Sequence, residues 1–177
     1  DECFADLTGL EPPLKMTYRQ IAERIKREVN EELGLSISIG LAPTKVLAKV
    51  ASKWIKPNGL TVIDRENIYN FLEKTPIGKI WGIGPRTAEL LNDFGIKTAQ
   101  DFYMKKIEWV RENLASPYEV IWQELHGIYV MEIDPKPKTE YSSIQRTHSF
   151  HPFTNEGLSA FSIFKKHGGG LCQGSAL

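Results

Sequence analysis

The stretch KIWGIGPRTAELL, residues 79–91, contains two glycines and a proline within four residues, a combination typical of a tight turn that leads into a helix. Gly82 and Gly84 allow backbone angles that a side chain would forbid, and Pro85 suits the first position of a helix. Gly95 stands where a left-handed residue ends a helix. The sequence therefore predicts a tight turn and a short helix, with backbone amides at its start that could receive a phosphate. The apolar stripe of this helix comprises Ala88, Leu91 and Phe94.

Helix and strand patterns alternate before this turn. Thr17 and Gln20 form a predicted capping box, and Gly34 ends the helix that they begin. Residues of alternating polarity follow, which is typical of a half-buried strand. The predicted elements are a helix over 17–33, a strand over 35–41, a helix from Pro43 to Trp54, a strand over 60–63 and a helix over 68–72. Strands covered by helices predict an α+β fold.

Only short helices are predicted after Lys74. Thr98 and Asp101 cap one of them, and Ser116 with Pro117 begins another. The prolines and charges after residue 133 then resist both helix and sheet, and alternation resumes near residue 142. The sequence therefore predicts an all-helical unit, an extended linker and the start of a third unit.

The net charge of the chain is zero, with 22 basic and 22 acidic residues, which excludes nucleic-acid binding by bulk charge but not by a local site. Cys3 and Cys172 are far apart and the four histidines lack metal-ligand spacing, so free thiols are favoured over a disulfide or a zinc site. No apolar run reaches membrane-spanning length and no secretory signal opens the chain, so a cytoplasmic location is expected.

The glycine turn has three interpretations. A dinucleotide-binding fingerprint is disfavoured because Thr87 stands where a third glycine is required. A helix-hairpin-helix fits the pattern, and such hairpins hold the DNA backbone through amides. A tight turn between helices with no ligand stays open.

Charged residues elsewhere are ambiguous by themselves. Lys45, Lys49 and Lys53 recur at helical spacing, which fits either a solvated helix face or a row that meets phosphates. Asp1 and Glu2 are neighbours on a predicted strand, where adjacent side chains point to opposite faces. By spacing alone they are indistinguishable from exposed acids at a strand end.

Three motifs in order resemble one protein family: DECFADLTG from residue 1, SIGLAPTKVLAKVASKWIKPNGLTVI from residue 38, and IWGIGPRTAELLNDFGIKTAQDF from residue 80. Together they resemble the Y-family translesion DNA polymerases of the DinB/UmuC type (impB/mucB/samB) from residue 1 to about residue 150. The resemblance implies a partial palm domain over 1–73, a helical thumb with the helix-hairpin-helix over 74–133, a linker over 134–141 and a truncated start of the little-finger domain over 142–177.

The same resemblance implies a set of site residues. Asp1 and Glu2 match the adjacent catalytic carboxylates that hold two Mg²⁺ ions, and Lys56 matches the lysine that reaches the incoming triphosphate. The residues expected to bind DNA are Gly82, Ile83, Gly84, Arg86, Lys45 and Lys49. The implied partners are primer–template DNA, a deoxynucleoside triphosphate and a sliding clamp, with no membrane.

The implied activity is the addition of nucleotides to a primer opposite damaged template DNA. The family's first metal-binding aspartate and its fingers domain would lie upstream of residue 1, so the fragment alone is expected to be inactive. The alternative is a non-catalytic helix-hairpin-helix module of a repair or recombination factor. Such a module has no reason to carry both DECFAD and KPNG.

Overall fold

The computed structural model describes residues 2–133. The predictions for Asp1, for the linker over 134–141 and for the third unit over 142–177 lie outside these residues. Within the described part, the elements in chain order are α1 (Glu11–Leu14), α2 (Tyr18–Leu33), β1 (Ile39–Leu41), α3 (Lys45–Trp54), β2 (Leu60–Val62), α4 (Ile68–Glu73), a 3₁₀ turn (Ile77–Lys79), α5 (Pro85–Asp93), α6 (Ala99–Tyr103), α7 (Ile107–Asn113) and α8 (Ser116–Leu125).

Helix boundaries follow the predicted local signals. The Thr17–Gln20 capping box begins α2, and Gly34 ends it in the left-handed conformation with a φ of 66°. A second predicted capping box, Thr98 with Asp101, begins α6. The predicted start of α3 at Pro43 is wrong by two residues, because Thr44 is the N-cap and accepts a hydrogen bond from the Leu47 amide.

The sheet is shorter than predicted. Strands β1 and β2 pair in parallel, with Ile39 opposite Leu60 and Leu41 opposite Val62. Leu35 is 56% exposed, and the predicted strand over 35–41 shrinks to its last three residues. Alternation predicts an extended chain but does not supply a neighbouring strand, and pairing with β2 begins only at Ile39.

The predicted strand at the start of the chain is also wrong where the structure describes it. Glu2 lies in a segment without regular structure, and within the described residues no backbone hydrogen bond joins residues 2–6 to another segment. Side-chain contacts of this segment are therefore what position Glu2.

Close contact between α3 and β1 depends on Gly40. A Cβ added at Gly40 would lie 2.1 Å from the carbonyl oxygen of Ala48, so the helix backbone rests directly on the strand. Most of the buried hydrophobic side chains, though not Ile21 and Ala22 of α2, form one cluster that extends from α3 through the short helices to α8. Its members include Val46, Leu47, Leu72, Leu91, Phe102 and Leu125. No helix in the described part is both long and apolar enough to cross a bilayer.

Candidate functional site

A cleft of about 530 Å³ lies between residues 2–4, strand β1, helix α3 and the turn after α3. Its charged lining residues are Glu2, Lys49 and Lys56, which the sequence assigns to the catalytic, DNA-binding and triphosphate-binding groups. Glu2 and Lys56, which are 54 positions apart, therefore line one cleft, where two lysines outnumber one carboxylate and favour a ligand with negative charge.

Glu2 and Lys49 form an ion pair across this cleft. The Lys49 side chain is only 11% exposed, whereas that of Glu2 is 59% exposed. Burial, and then the positive charges of Lys53 and Lys56, lower the pKa of the Lys49 ammonium. Lys49 is thus a mostly buried cation that is paired with the carboxylate predicted to bind metal.

The other lysines of this helix differ from Lys49. The ammonium of Lys45 donates to the carbonyl oxygen of Glu132 at 2.6 Å and lies 5.6 Å from the centre of the Phe4 ring. Lys53 is exposed. The predicted basic row therefore does not form one uniform face, since Lys45 and Lys49 have intramolecular partners.

The turn after α3 presents Lys56 to solvent at the edge of the cleft. Gly59 is buried behind it, and a Cβ at this position would lie 2.2 Å from the carbonyl oxygen of Ile55. Asn58 adopts a positive φ of 57°. The KPNG stretch is therefore a tightly folded turn whose packing leaves the lysine head group free to contact a ligand.

The predicted hairpin forms between the 3₁₀ turn and α5. Gly82 has a φ of 91°, and the amide of Ile83 donates to the carbonyl oxygen of Ile80 at 3.1 Å. The Ile83 side chain is buried and anchors the turn in the core. Gly84 is the N-cap of α5, as predicted from the glycine–proline pattern.

The start of α5 is accessible. Gly84 and Arg86 are exposed, and a Cβ added at Gly84 would have no neighbour within 4 Å. No side chain caps this helix. The first amides of α5 are therefore open to an anion such as a phosphate, which the positive end of the helix dipole favours.

An aromatic contact joins the cleft to the hairpin. The rings of Phe4 and Trp81 lie 5.3 Å apart, and Trp81 directly precedes Gly82. Phe4 is two residues from Glu2 and also meets the ammonium of Lys45. The segment that carries Glu2 is thus held against the hairpin by side chains.

Glu124, which no sequence motif indicated, is fully buried in α8. Its carboxylate accepts hydrogen bonds from three backbone amides, and one of them belongs to Val46 in α3. The available signal was its position: Glu124 lies three residues after Ile121 and beside Leu125, on the apolar face of α8.

The described residues do not by themselves form a magnesium site. Glu2 is the one described member of the predicted carboxylate pair, and it is paired with Lys49. Within residues 2–133, no three His, Cys, Asp or Glu side chains are grouped to hold a metal ion. Magnesium demands near-octahedral oxygen ligands, which a single carboxylate does not supply.

Two family models match the chain. The model described as impB/mucB/samB family matches residues 1–53, and the model described as IMS family HHH motif matches residues 65–96. These ranges contain the cleft residues Glu2 and Lys49 and the hairpin, respectively.

Curated relatives with similar sequences are named DNA polymerase IV. The one from Ectopseudomonas mendocina is 36% identical over 149 residues, which cover 84% of this chain and 42% of the relative. The one from Desulfatibacillum aliphaticivorans is 30% identical over 164 residues, which cover 93% of this chain and 41% of the relative. The chain therefore spans about two fifths of the length of these relatives.

Solved structures of polymerases are also similar. An insertion ternary complex of Dbh DNA polymerase has a TM-score of 0.58 and 27% identity, with 71% of this chain and 38% of that chain covered. A DinB family error-prone DNA polymerase from Sulfolobus solfataricus has a TM-score of 0.54 and 29% identity, with 65% and 35% covered. The predicted α+β class, with a helix-hairpin-helix, is confirmed by this likeness and by the family match.

Proposed function

We propose that this chain, a member of the Y-family DNA polymerases of the impB/mucB/samB type, is part of an enzyme that extends a primer opposite damaged template DNA. The observation that supports the proposal is that residues 2–133 contain two candidate binding sites side by side in the chain's one described unit. The Glu2–Lys49–Lys56 cleft suits a nucleotide, and the open start of α5 suits a DNA backbone. A binding module would need only the second.

In this proposal the cleft receives the incoming deoxynucleoside triphosphate. Lys56 is exposed at the cleft edge, where its ammonium can contact phosphate oxygens. Lys49 lies deeper and holds Glu2, so arrival of a triphosphate offers Lys49 a second anionic partner. The chain's own lysines thus bind and orient the triphosphate.

Asp1 and Glu2 would hold Mg²⁺ together with ligands from the rest of the protein. When bound, such ions activate the primer 3′-hydroxyl and neutralise the triphosphate. A sliding clamp as partner, which the family resemblance implies, and a cytoplasmic location also belong to this proposal.

The hairpin and the start of α5 would hold the primer–template DNA. Gly82, Ile83 and Gly84 bring the backbone close to a phosphate, and Arg86 adds a positive charge in the first turn. Because amides supply most of these contacts, few counterions are released, and affinity depends only modestly on salt.

Primer extension by the longer protein that contains this chain tests the proposal. Glu2→Gln and Asp1→Asn should each reduce the rate of magnesium-dependent primer extension by several orders of magnitude while DNA affinity is retained. Glu31→Gln, which removes one exposed acidic charge from α2, is the matched control and should extend normally. Normal extension by the Glu2→Gln and Asp1→Asn variants would refute the assignment, as would extension by residues 1–177 alone.

A further inference from the structure

The carboxylate of Glu124 connects three parts of the chain. Its Oε1 accepts hydrogen bonds from the amides of Val130 and Met131, both at 2.9 Å. Its Oε2 accepts one from the amide of Val46 at 3.2 Å. Val46 lies in the first turn of α3, 78 residues earlier in the chain. One buried side chain therefore joins α8, the start of α3 and the segment that leaves α8.

A second hydrogen bond strengthens the junction of α8 with α3. The hydroxyl of Thr44, the N-cap of α3, donates to the carbonyl oxygen of Glu124 at 2.8 Å. Thr44 is itself buried. Glu124 thus receives one donor from the N-cap side chain and one from the first-turn backbone of α3, and its carboxylate lies where the helix dipole is positive.

The chemistry of this junction requires a carboxylate. The donors that face the two oxygens of Glu124 are all backbone amides, and an ionised carboxylate accepts at both oxygens. An amide side chain of the same shape has one acceptor and one donor. Glu124→Gln would therefore leave a donor facing a donor, either at Val46 or at the pair Val130 and Met131.

Helix α8 contacts the hairpin through Ile121, one helical turn before Glu124. A Cβ added at Gly82 would lie 2.7 Å from Cδ1 of Ile121, so this side chain rests on the hairpin backbone. Ile121 and Glu124 are three residues apart and lie on one face of α8. The same helix face therefore contacts the hairpin at one turn and α3 at the next.

We propose that Glu124 is a positioning residue, which fixes the separation between the hairpin and helix α3. The catalytic consequence rests on the proposed function: α3 and its following turn carry Lys49 and Lys56, and the hairpin would hold the DNA. Nucleotide transfer requires the primer end and the triphosphate within about 3–3.5 Å of each other, so a shifted α3 misaligns them. Glu124 acts on the reaction through α3 and touches neither substrate.

Spin-label distance measurement on the whole chain tests this inference. With Cys3 and Cys172 replaced by serine, labels at Lys53→Cys in α3 and Glu89→Cys in α5 occupy exposed positions. We expect one narrow distance distribution in the parent chain. Glu124→Gln should shift the distance by about 2 Å or broaden it, as when packed helices slide past each other. A residue that only stabilises the fold would lower the unfolding temperature and leave the distance unchanged.

Glu119→Gln is the matched control, since it removes one acidic charge from the same helix and breaks only the exposed pair with Arg111. It should keep the parent distance. If Glu124→Gln does not fold, Glu124→Asp keeps the charge but is too short to reach both Val46 and Val130, and it should broaden the distribution. An unchanged distance in a folded Gln or Asp variant would overturn the inference. Failure of the parent chain to bind primer–template DNA would instead contradict the proposed function and leave the distance result standing.

Discussion

The side chain of Ile121 lies over Gly82 so closely that a Cβ at Gly82 would be 2.7 Å from Ile121 Cδ1. Gly84, two residues on, has nothing within 4 Å of its added Cβ. The two glycines of the hairpin therefore serve different purposes. The first is required by the fold, and the second leaves the start of α5 open to a ligand.

Gly84→Asp should abolish DNA binding without unfolding the chain. Gly84 has a φ of −77° and a ψ of 168°, which any residue adopts, and aspartate is a favourable N-cap. The new carboxylate would accept hydrogen bonds from the first backbone amides of α5 and repel the DNA phosphate that is proposed to bind there. Fluorescence anisotropy with a labelled primer–template measures the loss. Gly84→Ala leaves the amides free and should bind as the parent does, and equal binding by Gly84→Asp would make the hairpin a plain turn.

Gly82→Ala should destabilise the protein by about 1–3 kcal/mol, because a side chain is strained at a φ of 91° and the new methyl group meets Ile121. Urea denaturation measures the free energy of unfolding. Adding Ile121→Val removes Cδ1 and should recover part of the loss, namely the part caused by the steric contact. If Gly82→Ala is as stable as the parent, the fold does not require this glycine.

Glu124→Gln should lower the free energy of unfolding by about 1–3 kcal/mol, the cost of leaving a buried donor without an acceptor. The control Glu119→Gln should lose less than about 1 kcal/mol, because its ion pair with Arg111 is at the surface. Urea denaturation of both variants gives the comparison. Equal losses would show that the three amides find other partners in the variant.

Because of His126, the free energy of unfolding should be smaller in mild acid than at neutral pH. The His126 ring is stacked on that of Tyr103, with centroids 3.9 Å apart, and meets the tilted ring of Trp122 with centroids 3.7 Å apart. Burial lowers the pKa of His126 despite an opposing hydrogen bond with the Trp122 carbonyl. The folded state therefore disfavours the protonated ring. The stability that the neutral ring provides is complete above its usual pKa of 6.5 and decreases as the pH falls below that value.

The measurement is urea denaturation at pH 7.5 and pH 5.5 for the parent and for His126→Gln. The parent should lose more stability between these two pH values than the variant does. The remaining three histidines are present in both proteins, so their effects cancel in the difference. Identical pH dependence would mean that the His126 ring is solvated in the folded protein.

Asp101→Ala should destabilise α6 by about 1 kcal/mol, because its carboxylate accepts from the amides of Lys97 and Thr98. The Thr98 backbone hydrogen bond is the main cause of the lowered Asp101 pKa. The contribution is present above the usual pKa of 3.8 and is lost as the pH falls through the lower folded value. Thermal unfolding at pH 7 compares this variant with Asp93→Ala, an exposed aspartate at the end of α5, which should change little.

The sequence predicts well those features whose interacting residues are at most four positions apart in the chain. The capping boxes at Thr17 and Thr98 and the glycine that ends α2 involve atoms of one helical turn, so local chemistry determines them. The predicted length of β1 was too great because pairing depends on the position of β2, whose residues are 21 positions later in the chain. Alternation contains no information on that partner.

The candidate site was predictable only in part, because its side-chain contacts join residues that are far apart in the chain. The family resemblance predicted roles for the three charged residues that line the cleft, but the ion pair of Lys49 with Glu2 and the hydrogen bond of Lys45 to Glu132 span 47 and 87 residues. Glu124 was missed because its acceptor role depends on an amide 78 residues away. Charge at an apolar helix position was the one local sign of it.

Gly40 has a genetic consequence. Because α3 rests on its Cα with no room for a methyl group, Gly40→Ala must lift the helix off the strand or bend it. In a library selected for DNA damage tolerance, Gly40 should therefore tolerate substitution as poorly as a substrate-binding residue, although the cause is helix packing. The atoms that a Cβ would meet belong to the backbone of Ala48, Ala51 and Ser52, so no side-chain truncation at these positions makes room, and reversion should restore glycine at position 40.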